Sequence, residues 1–243
     1  GVVSVPLAQF NLQGIDIVAS GQIVLGDAPA ANPSKSLLPP EVGRALEILE
    51  SLDFGAKPPV LQVEFAARSG RAGELQLPRI LLQADQADYG EVRLRDIRLD
   101  ASYAAQVLSV RRLAARDETG GELAVSGRWN LRDGDARAEI ESSLSPVSWL
   151  LQFRPAGPWR DLVLQTPPEV RATLQIDPGA EHRTRVVGSL ALGPFGFRGA
   201  SFGGLAGGFA WRDGDLYASD AQLLLPRGKL RADLMLRPDD VRL

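Results

Sequence analysis

Apolar and polar residues alternate one by one along much of the chain, which is the pattern of β-strands that bury one face. In the stretch GELAVSGRWNL, Leu123, Val125 and Trp129 fall on one face, and polar residues fall on the other. The stretch DARAEIESSL alternates in the same way, and the RDGD between the two is typical of a hairpin turn. The sequence therefore predicts an antiparallel pair of strands here.

The same alternation covers four further stretches, at residues 58–70, 73–84, 90–103 and 167–177. It slips by one position between Leu77 and Ile80, and again between Leu94 and Ile97. A β-bulge is the usual cause of such a slip, so we expect one at each place. The glycine-rich run GGLAGG at 203–208 indicates a bent or closely approached strand.

Only two stretches have the spacing of helices. Residues 34–54 place apolar side chains at intervals of three and four after the pair Pro39 and Pro40, which suits a helix start. A shorter stretch at 143–153 has Ser145 as a cap with Pro146 just inside it. We therefore expect two short helices among many strands.

The two halves of the chain resemble each other, with Val60 falling on Val170 about 110 positions later. The hairpin sequence NLRDGDARAEI has relatives near Asn11 and Leu236. We interpret residues 1–33 as the end of a preceding repeat unit. Residues 34–142 are a unit with a short helix followed by strands, and residues 143–243 are a second unit, truncated at its final hairpin. The chain is thus expected to be an internal segment of a longer protein.

The composition excludes several classes of function. The chain has 27 basic and 30 acidic residues, a net charge of −3, and no basic stripe that would favour nucleic acid. It has no cysteine, which rules out disulfides, a thiolate nucleophile and cysteine-ligated metal. No apolar run approaches the roughly 20 residues of a membrane helix.

The candidates for catalysis or metal binding are weak. The string GASFG, with Ser201 at its centre, fits the nucleophile-elbow pattern, but that pattern needs a later histidine and the one histidine, His182, comes earlier. The RDGD turns at 132–135 and 212–215 lack the further oxygen ligands of a calcium loop. We therefore expect no enzyme activity, no metal and no cofactor, with a hydrolase as a distant alternative.

Two arrangements of the strands compete: a sandwich of two sheets that bury each other, and a single sheet curled into a trough. Two short helices could not cover so many strands, and a sheet of this length is too long for one compact sandwich. We therefore predict a mostly β fold in which a long antiparallel sheet, strongly twisted and curved, forms an open groove.

Residues 197–240, with a strand, the turn WRDGDL and then GKLRAD, are echoed by residues 94–131 in the same layout. This pattern resembles the AsmA-like or TamB-type family, bridge-like lipid transfer proteins of diderm bacteria. The resemblance implies a periplasmic segment with its inner-membrane anchor elsewhere in the chain. It also implies phospholipid or another acyl lipid as the ligand, and contacts with flanking segments and an outer-membrane protein.

In this interpretation the apolar strand faces line the groove. The predicted lining residues are Leu61, Val63, Phe65, Leu123, Val125, Trp129, Val170, Leu174, Ile176, Phe209, Trp211, Leu230 and Leu234. The alternative is an assembly module whose sheet edge, near Val3 or Leu234, pairs with a strand of a protein client in outer-membrane biogenesis.

Overall fold

The computed structural model describes residues 2–12, 14–24, 52–68, 75–90, 92–147, 158–180, 183–212 and 215–236. Most of these residues lie in strands. In chain order the strands are β1 (Val2–Leu12), β2 (Ile15–Val24), β3 (Val60–Arg68), β4 (Gln76–Tyr89), β5 (Val92–Ala104), β6 (Val107–Arg116), β7 (Glu122–Asn130), β8 (Ala136–Ser142), β9 (Leu162–Leu164), β10 (Glu169–Ile176), β11 (Thr184–Leu192), β12 (Phe195–Phe197), β13 (Ala200–Phe202), β14 (Gly204–Arg212), β15 (Asp215–Leu225) and β16 (Gly228–Leu236).

Thirteen of these strands form one sheet, in the order β1 to β8, then β10, β11, β14, β15 and β16. Strands β1 and β16 are its edges and do not pair with each other, so the sheet is open. Twelve steps of about 4.8 Å give a width of about 58 Å. The prediction of a mostly β fold with one long sheet is confirmed.

The sheet is mixed, because β2 and β3 run parallel with Asp16 opposite Val60. The prediction of a wholly antiparallel sheet is therefore wrong at this pair. Alternation fixes which face a side chain occupies but is the same for both strand directions. The direction depends on the connection between the strands, residues 25–59.

A small sheet of three strands, in the order β13, β12 and β9, is inserted beside the main one. Strands β12 and β13 belong to the connection between β11 and β14, and β9 belongs to the connection between β8 and β10. Phe195 and Phe202 stack within it, with ring centroids 4.9 Å apart. A 3₁₀ turn, Pro158–Asp161, leads into β9.

Most residues of the two predicted helices, in 34–54 and 143–153, lie outside the described residues. The helix prediction therefore stays a prediction. Ser145, the proposed cap of the second predicted helix, is among the described residues. Its backbone N–H donates a hydrogen bond to Asp117 Oδ2 at 2.7 Å.

Asparagine side chains shape two of the hairpin turns. Between β7 and β8, Asn130 Oδ1 accepts a hydrogen bond from the Arg132 N–H at 3.0 Å. Between β1 and β2, Asn11 Oδ1 accepts one from the Gly14 N–H at 3.1 Å, and Gly14 has a φ of 83° that favours glycine. The predicted antiparallel pair of β7 and β8 is confirmed.

Bulges occur where the alternation slips. The register of β4 against β5 shifts between Leu77 and Ile80, and that of β5 against β6 shifts between Arg95 and Arg98. Asp96, inside the second shift, has a positive φ of 51°. Both predicted bulges are confirmed, and each returns the apolar side chains to the face they would otherwise leave.

Glycines allow close contact between neighbouring strands. Phe65 lies opposite Gly21 and Phe209 lies opposite Gly188, so an aromatic ring covers each glycine. A Cβ built on Gly188 would meet the Arg171 carbonyl oxygen and would lie 2.9 Å from Phe209 Cζ. The predicted close approach within 203–208 is confirmed at Gly207, where such a Cβ would lie 2.9 Å from Ala221 Cα.

One carboxylate ties the turn after β6 to the segment after β8. Asp117 Oδ1 accepts from the N–H groups of Thr119 at 2.9 Å and Gly121 at 2.8 Å, and from the Thr119 hydroxyl at 2.7 Å. Its other oxygen accepts from the Ser145 N–H. Burial acts to raise the pKa of Asp117, but these hydrogen bonds outweigh it and lower the pKa below the usual aspartate value.

We expect Gly188→Ala to lower the free energy of unfolding by about 1 to 3 kcal/mol, because the new methyl group collides with backbone and with Phe209. The matched control is Gly179→Ala, whose Cβ would lie 3.5 Å from Asp177 Oδ1 in ordinary contact. Urea unfolding of the two variants measures the difference. If Gly188→Ala and Gly179→Ala were equally stable, β10 and β11 would be able to move apart around the new methyl group without a loss of stability.

We expect Asp117→Asn to lower the free energy of unfolding at pH 7 by about 1 to 3 kcal/mol, because the Ser145 N–H loses its charged acceptor. A carboxylate with a lowered pKa stabilises the fold above its unfolded pKa of about 3.9, and this stabilisation is lost as the pH falls. The difference between wild type and variant should therefore shrink below about pH 4. Thermal unfolding across pH, with exposed Glu139→Gln as control, measures this; a pH-independent difference would contradict it.

Candidate functional site: the apolar face of the open sheet

The register of the main sheet brings one apolar residue or glycine from every strand into a single transverse row. Residues directly opposite each other on neighbouring strands share a face, whichever way the strands run. From β1 to β16 the first row is Phe10, Ile17, Leu61, Leu82, Leu99, Leu113, Val125, Ile140, Ala172, Gly188, Phe209, Ala218 and Leu234.

A second row runs beside the first, two positions away on most strands and three on β6, where there is a bulge. It is also made only of apolar residues and glycine. From β1 to β15 it is Ala8, Ala19, Val63, Ile80, Ala101, Val110, Gly127, Ala138, Leu174, Val186, Trp211 and Leu216. We call the side of the sheet that carries these two rows the apolar face.

The opposite side of the sheet is polar over its central strands. Glu139 lies opposite Thr173, and Glu141 lies opposite Arg171. No ionisable group enters either apolar row, so the two sides differ sharply in how they interact with water. A sheet of this kind can remove hydrocarbon from water on one side and remain solvated on the other.

Most of the apolar face is only half covered. In the two rows only Ile17, Leu82 and Ala101 are buried, at 8%, 6% and 1% exposure. Phe10 and Leu234, at the two edges, are 51% and 52% exposed. In a sandwich the facing sheet would bury these positions. The described part of the chain therefore supplies no second sheet over this face.

One region of the apolar face is covered by the segment that precedes β3. Leu52 and Phe54 pack against a buried cluster made of Ala84, Ala87, Ile97 and Ala115. Two backbone hydrogen bonds between Asp53 and Asp88, of 3.0 and 2.8 Å, hold the segment in place. The main hydrophobic cluster of the described residues thus lies under this segment.

All of the predicted lining residues lie on the apolar face. Some belong to the two rows, and the others, including Leu123, Val170 and Ile176, alternate in step with them along the same strands. Trp129 and Leu230 are 48% and 57% exposed. The structure thus brings together residues that the sequence scatters over some 170 positions.

Several residues of this face were absent from the predicted lining. They come mainly from β1, β2, β4, β5, β6 and β11, and include Phe10, Ile17, Leu82, Leu108 and Val186. The alternation that marks β7 and β10 is present in these strands too. Extending the same criterion to every strand would have included them.

The catalytic and metal-binding candidates do not form a site among the described residues. Ser201 is exposed in the short strand β13, opposite Gly196, and His182 lies outside the described residues. The described residues contain no group of three histidine, aspartate or glutamate side chains that could hold a metal ion. They also contain no helix that is long and apolar enough to cross a membrane.

Comparison of this chain with protein-family models, with curated proteins and with solved structures found no match.

Proposed function

We propose that this chain is a segment of a periplasmic lipid-transport groove, which shields phospholipid acyl chains between the inner and outer membranes. The observation that carries the proposal is the pair of apolar rows, unbroken by an ionisable group and largely uncovered. A face of this kind that crosses every strand offers a lipid chain continuous contact from one edge of the sheet to the other.

The energetics favour an acyl chain as the ligand. Exposing a 16-carbon chain to water costs about 13 kcal/mol, at about 0.8 kcal/mol for each CH₂ group. A continuous apolar face offsets this cost at every position along it, so a lipid can move without passing an exposed state. Such a face needs no polar anchor, and its two rows contain none.

The groove itself requires the sheet to curl with the apolar face inside. Register shifts support this, because bulges bend a strand and increase its twist. They occur from β1 to β7 in every pair except the parallel pair β2 and β3, and again from β14 to β16, whereas the pairs from β7 to β14 have regular register. In this proposal the two bulged regions form the walls and the regular strands form the floor.

We expect Leu174→Asp to weaken the binding of a fluorescent phospholipid at least about tenfold, because a carboxylate in the second row must stay hydrated where an acyl chain would lie. Transfer of the labelled lipid between vesicles should fall in parallel. Val125→Asp, in the first row on another strand, should have the same effect.

The matched control is Thr173→Asp, which adds the same charge one residue away on the opposite face. Circular dichroism establishes that each variant keeps its sheet, and native mass spectrometry detects phospholipid that co-purifies with it. Equal lipid binding by Leu174→Asp and Thr173→Asp would refute the proposal.

The free edges of the sheet favour a second function, a structural or assembly module for outer-membrane biogenesis. Among the described residues, strand β1 pairs only with β2 and strand β16 only with β15, so within this part of the chain each leaves one side of its backbone unpaired. Both edges are long, and both expose apolar side chains: Val2 is 62% exposed and Leu230 is 57% exposed. An edge of this kind can pair with an extended strand of a protein client.

We expect Ser4→Pro to weaken, at least about tenfold, the binding of a peptide with the alternating pattern of an outer-membrane barrel strand, because proline removes an edge N–H group. Ser4 lies opposite Gln22, on the face away from the apolar rows, so lipid binding should not change. Fluorescence anisotropy of a labelled peptide measures the effect.

The control for this edge variant is Ser4→Thr, which keeps the N–H group and should bind the peptide normally. Leu174→Asp should also bind it normally. If Ser4→Pro keeps its sheet by circular dichroism and still binds the peptide as the wild type does, β1 is not the edge to which the peptide binds.

A further inference from the structure

Four arginines lie in one line across the polar side of the sheet. Arg128 on β7 is directly opposite Arg137 on β8, and Arg185 on β11 is directly opposite Arg212 on β14. Gln175 on β10 joins the two pairs. We call Arg128, Arg137, Arg185 and Arg212 the arginine row. Like charges directly opposite each other on neighbouring strands repel, so this arrangement costs stability unless an anion neutralises it.

The arginine row lines a cavity of about 540 Å³ at the ends of these strands. Arg183 joins it there, and the carboxylates that line the same cavity are Asp135 and Asp177. Among the described residues that line the cavity, five guanidinium groups against two carboxylates give a positive charge, in a chain whose net charge is −3.

No carboxylate of the described residues lies within ion-pair distance of the arginine row. Arg212 is the most constrained of the four. Its Nε is buried and has no hydrogen-bond acceptor in the part of the chain that the structure describes, and its guanidinium lies 6.0 Å from the centroid of the Tyr217 ring. A buried donor without an acceptor lowers the stability of the fold, so an anionic or polar ligand that accepts a hydrogen bond from Arg212 Nε would be stabilising.

A second cavity of the same volume also contains arginines and allows the charge balance of the two cavities to be compared. It lies over β4 to β7, and carboxylates balance its guanidinium groups. Arg116 there pairs with Glu122 at 2.9 Å and with Asp96 at 3.7 Å. Among the described residues, carboxylates thus equal the guanidinium groups in number in this cavity, but not in the cavity that the arginine row lines.

We propose that the arginine row binds an anion of the phosphate class. Guanidinium groups bind phosphate oxygens through paired, charge-assisted N–H donors, and a line of them matches a ligand with more than one phosphate group or a charged layer of phosphates. The two sources of this chemistry are a soluble polyphosphate and the headgroups of an anionic lipid surface. The row lies on the side of the sheet opposite the apolar rows, so this site does not depend on the proposed lipid groove.

The test uses the whole chain and two probes. Isothermal titration with inorganic tripolyphosphate measures binding of the soluble anion. Co-sedimentation with vesicles of phosphatidylcholine containing phosphatidic acid, against phosphatidylcholine alone, measures binding to lipid headgroups. We expect the wild type to bind at least one of the two phosphate probes, more weakly as salt rises.

We expect the double variant Arg137→Gln and Arg185→Gln to bind that probe at least about tenfold more weakly, because each lost guanidinium removes charge-assisted hydrogen bonds. The matched control is Arg98→Gln with Arg112→Gln, which removes the same charge from exposed positions of the same chain. The control should change binding less than about twofold if general charge is unimportant.

The variant Arg212→Lys distinguishes a site that uses the donor geometry of the guanidinium group from a surface that binds anions by charge alone. Lysine keeps the charge but lacks the buried Nε donor. We expect this variant to bind several-fold more weakly than the wild type. The proposal is overturned if the wild type binds neither probe, if the control pair weakens binding as much as the row pair, or if Arg212→Lys binds as the wild type does. Binding of vesicles alone identifies the headgroup as the source, and binding of tripolyphosphate alone identifies a soluble ligand.

Discussion

The backbone register between neighbouring strands is the constraint on which the rest of this structure depends. A shift of one residue in any pair would turn a strand over and place polar side chains in the apolar rows. The bulges are part of this constraint: at 77–80 and at 95–98 they absorb an extra residue, so that Ile80 and Ile97 return to the face that Leu77 and Leu94 define. Register thus converts local alternation into one surface that crosses the whole sheet.

The two sides of the sheet serve different chemistry as a result. Phe10, Val125 and Leu234 belong to one apolar row although they are far apart in the chain. The polar side carries the ion pairs of Arg116 and the unpaired arginine row. Because only a single layer separates the two, lipid on one side and a phosphate anion on the other could occupy the protein at the same time.

Alternation in the sequence was enough to predict the β class, the pair β7 and β8, the bulges and the face of the sheet on which each predicted lining residue lies. It was not enough to predict that β2 and β3 run parallel, with Asp16 opposite Val60. A strand alternates in the same way whether it runs parallel or antiparallel to its neighbour. Alternation also could not reveal the arginine row. Arg128, Arg137, Arg185 and Arg212 have no common spacing in the sequence, and only strand pairing aligns them.

The sequence by itself determined which side chains leave the sheet on the same side, because successive residues of a strand point in opposite directions. The tertiary structure decided which strands are neighbours, in what direction and with what register. Those choices depend on connections and on long-range hydrogen bonds, which no local pattern encodes. The continuous apolar face and the arginine row both follow from them, since each is assembled from residues of many strands.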